Sequence, residues 1–598
     1  MYILNQLINV MIANRNLFGK LALLALIVVF TSCKHEQSTT TGWNYNDRKN
    51  GGFEVVPYEE QETGPGLVLI EGGTFTMGRT EQDVNYEWDN QPRRVTVPSF
   101  YMDQTEVRNI DYLEYLFWLT RVYNLDYPRI VQKALPDTLV WRSKLAYNEP
   151  MVEYYLRHPA YRDYPVVGIN WLQANDYCKW RTDRVNEYIL INYGILKHYT
   201  GQTNDDHFNT DAYFANKYTG EETNRQLVDL SPNGETRRPK MEDGILLPKY
   251  RLPTEAEWEF AALGLIGNTL YERVVERRLY PWNGHVARTD APSNYGDFVA
   301  NFRRGRGDYM GVAGSLNDAA SVTAPVYAYW PNDYGLYNMA GNVSEWVMDV
   351  YRPLSFEDFD DFNSFRGNVY KTFVRDNSGA IDDKLTYIIY DYEAIDKWLN
   401  NAEDGFIKNL TDRNGGQLDP REDDLLAKVN KSVDAAIKKN AERKFEEASE
   451  QIEDALITID GAPDAIEIAT ELLKGISDFI VATPGELRER NVSIEENLER
   501  RNYRKSNNIN YLDGDYASNY DMNGWASWQK DDGSNSMYDY SHTSMLNDKA
   551  RVYKGGSWKD SQFWLSPGAR RFLDERQSTD FIGFRCAMTR VGSPIGNY

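Results

Sequence analysis

Cys33, Cys178 and Cys586 are the only thiols in the 598-residue chain. A cysteine acts as a nucleophile or soft metal ligand when its surroundings favour the thiolate, and as half of a cross-link when a second sulfur lies beside it. Thr31-Ser32-Cys33 follows the cations Arg15 and Lys20 and the apolar run Leu21 to Phe30. That run is too short to span a bilayer in the usual way. Small residues directly before a cysteine at the end of such a run form a bacterial lipobox, in which Cys33 becomes the lipidated first residue of the mature chain and residues 1–33 are a signal peptide. The alternative is an ordinary signal peptide with an incidental cysteine. Met11 is a second candidate start. If lipid takes Cys33, two cysteines remain in an oxidising compartment, as one disulfide or as two separate buried thiols.

Other chemistry is sparse. His35, His158, His198, His207, His285 and His542 are scattered without metal-ligand spacing, so no histidine-based zinc or iron site is expected. There is no Walker loop and no nucleophile elbow. A net charge of −23 argues against nucleic acid as a partner, because phosphate binding needs a basic surface. Aromatic residues make up 13% of the chain, which suits long loops pinned by large rings.

The elements that must position these groups follow from patterning. Gln37 to Thr41 begins a tether, residues 34–64. Leu67 to Gly78 reads as a strand, a Gly-Gly turn and a second strand, and Arg94 to Met102 as a further strand. Trp171 to Tyr188 has helical spacing that buries Ala174, Tyr177 and Cys178. Thr254 caps a helix to Leu263, with Glu257 as the reciprocal half of a capping box. The core covers residues 65–350 and 531–598. Insertions occupy about 110–160 and 190–247, and a mainly helical one covers 351–530. Within the last, Ala441, Phe445, Ala448, Ile452 and Ala455 form a seam on one helix from Asp423 to Ile459. Gly461-Ala-Pro463 breaks it before a second helix, Asp464 to about Ile480. The resulting hairpin packs on itself and the core, or serves as a docking arm.

Nine blocks appear in a fixed order. They include Gly72-Gly-Thr-Phe-Thr-Met-Gly78, Thr105-Glu-Val107, Pro165 to Trp171 leading to Tyr177-Cys-Lys-Trp180, Tyr250 to Glu259, and Tyr280-Pro-Trp282. Tyr334 to Asn338, Gly341 to Trp346, Gly555-Gly-Ser-Trp558 and Gly583-Phe-Arg-Cys586 complete the set. In this order they resemble the formylglycine-generating-enzyme (sulfatase-modifying factor) family over residues 65–350 and 550–590. The resemblance implies an α+β, loop-rich fold related to C-type lectins. It also implies a copper-holding pair of active-site cysteines. The matching positions here are Gln562 and Pro567, or Leu565 and Arg570 if counted from the other side. None is a cysteine, so no copper and no catalytic residue are expected.

The same resemblance implies a disulfide between Cys178 and Cys586. It also implies two calcium sites, one at Asn338, Gly341, Val343 and Glu345, the other at Asn301, Phe302, Asp318 and Ala320. Hard oxygen ligands of this kind suit Ca²⁺. Arg570 and Arg571 match family arginines and are expected to form ion pairs.

The lipobox, the long insertions and the early Thr41-Gly-Trp-Asn-Tyr45 block are similar to the gliding-motility lipoproteins of the Bacteroidetes. That similarity implies a non-catalytic outer-membrane lipoprotein, lipid-anchored and facing the periplasm, with partners in the gliding and type IX secretion machinery. Two other classes stay open: a lectin-like binder of glycan or peptidoglycan, and an enzyme of altered mechanism in the degenerate cleft.

Overall fold

The computed structural model describes residues 36–79, 90–144, 147–223, 225–275, 278–303, 320, 322–352, 365–376, 378–401, 405–413, 420–460, 466–493, 495–498 and 548–592. Cys33, Asp318 and the Gly461-Ala-Pro463 break lie outside the described residues. The chain forms two compact units, one built from residues up to Glu60 with Thr223–Ile245, the other from Gln61–Glu222 with Leu246–Tyr598.

The smaller unit corrects the expectation of a free tether over residues 34–64. Tyr45 N–H donates to the Glu36 carbonyl at 2.8 Å, and Ser38 N–H to that of Trp43 at 2.8 Å. The Glu54 carboxylate accepts from Leu230 N–H at 2.8 Å and from Arg237, which also binds Asp243 at 2.6 Å. Gly52 sits at φ +72°, where a Cβ would lie 1.8 Å from the Leu230 carbonyl oxygen. Only glycine allows that approach. Charge pairing with the distant 223–245 segment, invisible to local patterning, orders what composition alone marks as linker.

The larger unit is α+β and loop-rich. One four-stranded sheet orders Leu67–Ile70, Phe100–Asp103, Ala587–Thr589 and Tyr250–Arg251, all antiparallel. A second orders Arg571–Asp574, Ala550–Lys554, Ser344–Val350 and Ile582–Gly583, the last pair parallel. The Gly72-Gly73 link turns a corner between sheets: Leu67–Ile70 pairs with Phe100–Asp103, whereas Gly73–Met77 pairs with Arg93–Val97. The expected single strand from Arg94 to Met102 is two, Arg93–Val97 and Phe100–Asp103, because Pro98 has no N–H to give a ladder. The helices Trp171–Asn192 and Glu255–Leu263 form as the sequence predicts, the latter with Thr254 Oγ1 accepting from Glu257 N–H at 3.2 Å.

The large insertion differs from its sequence reading in one respect. The expected helix from Asp423 to Ile459 is two helices, Pro420–Ala441 and Phe445–Asp460, parted where Arg443 takes φ +61°. Ala448, Ile452 and Ala455 are buried as the seam requires, whereas Ala441 belongs to the preceding helix and is exposed. A third helix, Ile466–Ser477, packs on Pro128–Ala134 of the first insertion. Insertion and core therefore share one apolar cluster, from Tyr112 and Tyr177 through Val429 and Ile452 to Leu472. Among the described residues no helix is long and apolar enough to cross a membrane.

His207 sits in this core, edge-on to Trp118 and Tyr123, with Nδ1 2.6 Å from the Asn204 carbonyl oxygen. Burial first, and the Arg184 charge second, push its pKa down to about 3. The unfolded chain protonates this ring near pH ~6.5 while the folded chain refuses the proton. Its contribution is therefore flat above that pH and turns destabilising as pH falls from about 6.5 towards 3. We expect a loss of about 2 kcal/mol between pH 6.5 and 5. Urea denaturation at the two pH values should show this loss in the native chain and a flatter response in His207→Gln.

Candidate functional site

The residues singled out by motif converge where the two sheets meet. Ser344–Val350 carries Glu345 inward, and the Gly583–Cys586 turn carries Arg585 against it. Glu345 and Arg585 are both fully buried and pair through two short contacts, Oε2 to Nε at 2.7 Å and Oε1 to Nη2 at 2.6 Å. Trp258 Nε1 donates to Glu345 at 2.8 Å, and Arg585 also donates to the Tyr337 carbonyl at 2.8 Å.

Beside this pair lies Glu106. Its carboxylate accepts from Asn338 Nδ2 at 2.9 Å and Asn342 Nδ2 at 3.0 Å. Burial pushes its pKa up to about 8, with the Glu345 charge adding to the rise and Arg585 opposing it. Asn342 Oδ1 accepts from Ala324 N–H at 2.8 Å and from Asn301 Nδ2 at 3.3 Å. Asn338 and Asn342 take φ +52° and +61°, left-handed values that asparagine tolerates best after glycine. The loop thus folds back so that Gly341, at φ +84°, leaves no room for a Cβ against the Asn301 carbonyl.

The two expected calcium sets are neighbours in this network, and they differ. Asn301 is 1% exposed, and its amide orientation is fixed because Nδ2 donates to the Val322 carbonyl at 2.8 Å. Among the described residues its Oδ1 has no hydrogen-bond donor. A buried amide oxygen left open next to buried Phe302 and Ala320 fits a hard cation. Asp318, which would add the negative charge, lies outside the described residues. At Asn338, Gly341, Val343 and Glu345 the protein's own groups fill the carboxylate, and a cation there would have to share Glu345 with the Arg585 guanidinium.

The cysteine positions of the motif frame hold other chemistry. Leu565 closes the Gln562–Leu565 turn and is buried with Tyr280, Ala300 and Phe302. Arg570 is buried in an ion pair with Glu255, at 2.8 and 2.9 Å, which Lys554 joins at 3.3 Å. Against the cost of burial, Arg570 and Lys554 hold Glu255 down at about 2. Arg571 pairs with Asp560 at 2.6 Å. The two arginines thus make ion pairs, as the sequence predicts. Cys178 and Cys586 are buried with their sulfurs 3.5 Å apart, in contact as two thiols. Burial pushes the Cys586 thiol up, so it offers no thiolate for nucleophilic work. Among the described residues no three His, Cys, Asp or Glu side chains gather as a metal centre.

Sequence reasoning passed over Glu106, Asn342, Arg585 and Trp258. Each lies inside a block that carried the resemblance, and for Glu106, Asn342 and Arg585 a charged or amide residue within such a block was the available signal.

A family model for the sulfatase-modifying factor enzyme 1-like domain matches residues 52–386. The chain is 26% identical over 299 residues to formylglycine-generating enzyme of Mus musculus, covering 47% of this chain and 58% of that one. It thus spans somewhat over half the length of that relative. It is 23% identical over 305 residues to inactive C-alpha-formylglycine-generating enzyme 2 of Mus musculus, covering 48% of this chain and 70% of that one. Among solved structures, Treponema denticola variable protein 1 aligns with a TM-score of 0.31 at 14% identity, over 89% of this chain and 100% of that one.

Proposed function

The chain belongs to the sulfatase-modifying factor enzyme 1-like family, which holds inactive members beside the formylglycine-generating enzymes, and on that premise we propose that it is a non-catalytic scaffold. The observation that carries this reading is the absence of any cysteine between Cys178 and Cys586. Gln562 and Pro567, or Leu565 and Arg570, cannot supply the paired thiolates that bind Cu(I). The buried ion pairs and the Glu106–Asn338–Asn342 network then hold a rigid platform, a structural role for groups that are desolvated and hydrogen-bonded to one another.

The finer reading places this scaffold at the outer membrane, anchored through lipid on Cys33 and facing the periplasm, within the gliding-motility and type IX secretion machinery. It rests on the lipobox, the insertions and the Thr41–Tyr45 block, which are most similar to gliding-motility lipoprotein J, with its sister lipoprotein K as one partner. Affinity purification from outer membranes with mass spectrometry tests it. Deleting the helical insertion would strip the shared core, so the comparison uses Ile457→Asp, at a position 70% exposed on Phe445–Asp460. Recovery of motility or secretion components supports the scaffold, and their loss with Ile457→Asp makes the insertion the dock. Failure of the native chain to retain any protein partner sinks the reading and makes cell-wall glycan the next ligand to test.

Calcium is the structural cofactor in this proposal, held by Asn301, Phe302, Asp318 and Ala320 as a cross-link between loops. Saturating calcium should stabilise the protein by about 1–3 kcal/mol over a chelated sample. Asn301→Ala should abolish the calcium-dependent part of the melting shift. A native melting temperature indifferent to chelator would remove the metal from the account.

A further inference from the structure

We propose that an aromatic face built from Trp43, Tyr45 and Phe53 seats on the lipid bilayer beside the N-terminal anchor. The inference rests on the reading of Cys33 as lipidated and extends it from a tether to an oriented contact.

The local fold brings these rings together. Asn46 N–H donates to the Phe53 carbonyl at 2.9 Å, and the Asn46 side chain bonds Val55 in both directions, at 2.8 and 2.9 Å. Asn46 therefore lies alongside Phe53 to Val55. The Tyr45 and Phe53 rings meet with centroids 5.6 Å apart, and the Trp43 ring lies over Gly51. Large rings that pack in this way normally end up under cover. Here Trp43 is 62% and Phe53 66% exposed, and the nearby Val56 and Tyr58 are exposed as well.

Chain length decides what covers them. The Glu36 carbonyl accepts from Tyr45 N–H at 2.8 Å, so residue 36 is fixed to the aromatic face. Three peptide units separate Cys33 from Glu36, a reach of at most about 11 Å. Acyl chains on Cys33 therefore hold this face within about one headgroup layer of the bilayer. Indole and phenyl rings partition into that interface, and a second apolar contact strengthens attachment by an acyl anchor. A lipid surface is the occupant that the anchor delivers.

The test uses the full-length acylated protein in phosphatidylethanolamine–phosphatidylglycerol vesicles. Phe53→Cys carries an environment-sensitive fluorophore, and the same labelled protein without vesicles is the reference. Vesicles doped with a headgroup spin-labelled lipid supply the quencher. A blue shift and strong quenching at residue 53 that appear only with vesicles and that Trp43→Ser reduces are the expected result. A probe at residue 53 that stays water-exposed on anchored protein overturns the inference and leaves the lipoprotein reading intact. A blue shift without lipid quenching means a protein surface covers the face, which also overturns it. Mass analysis of the N-terminal peptide separates the two claims: a Cys33 without acyl chains removes the lipoprotein reading itself, and the inference with it.

Discussion

Arg585→Ala is expected to destabilise the protein by about 3–5 kcal/mol, among the largest losses available to one substitution outside the apolar core. Arg585 is fully buried and is held to Glu345 through two short contacts. Removing it leaves Glu345 with the Trp258 donor alone among the described residues, 2.8 Å away, and leaves the Glu106 carboxyl beside an uncompensated charge. The carbonyls of Tyr337 and Asp103, at 2.8 and 3.2 Å, lose their donor as well. The cost comes from stranding these groups rather than from the worth of the pair, so a partner substitution should recover part of it. Arg585→Met with Glu345→Leu is expected to be more stable than Arg585→Ala alone, though still below the native chain because the carbonyls stay unpaired. Urea denaturation of the three proteins checks the order. Arg585→Ala with native stability would mean that water reaches Glu345.

The second large effect concerns the thiols. Cys178 and Cys586 are 408 residues apart in sequence and their sulfurs are 3.5 Å apart. In an oxidising compartment we expect them to cross-link. Closing so long a loop limits the unfolded chain, and the entropic estimate is roughly 5–6 kcal/mol as an upper bound. A non-reducing peptide map should join the two peptides. Reduction, or Cys178→Ser with Cys586→Ser, should lower the urea midpoint accordingly. The helix Trp171–Asn192 delivers one sulfur, and the turn before Ala587–Thr589 delivers the other. Cys586 N–H is meanwhile held by Asp103 at 2.8 Å. That external fixation should keep the backbone in place in the serine variant, so a small loss on reduction would show that the two thiols remain separate in the mature protein.

Much was legible without coordinates. The helices Trp171–Asn192 and Glu255–Leu263 announce themselves by a 3.6-residue period and a capping box, both local signals. The seam through Ala448, Ile452 and Ala455 is local in the same way. The errors fall where a local pattern competes with distant contacts. The strand, Gly-Gly turn and strand of Leu67 to Gly78 form as read, but that the two strands join different sheets is set by distant partners. The break at Arg443 carries no glycine or proline, and the weaker end signals before it, Lys438, Lys439 and Asn440, are outweighed by the continuing apolar seam.

The sequence by itself determined the inventory: an acidic chain, three cysteines with none at the motif's paired positions, a Thr-Ser-Cys step after an apolar run, and the blocks that set its family. These are matters of residue type and order, which need no third dimension. Only the tertiary structure decided which groups face one another. It placed Glu106 on Asn338 and Asn342, gave Glu345 to Arg585, left Asn301 Oδ1 without a donor among the described residues, and tied residues 45–54 into a small folded unit. The reason is that each of these meetings joins segments far apart in the chain. Burial then makes every unpaired charge or amide costly, so the partners are settled by global packing and not by spacing along the chain.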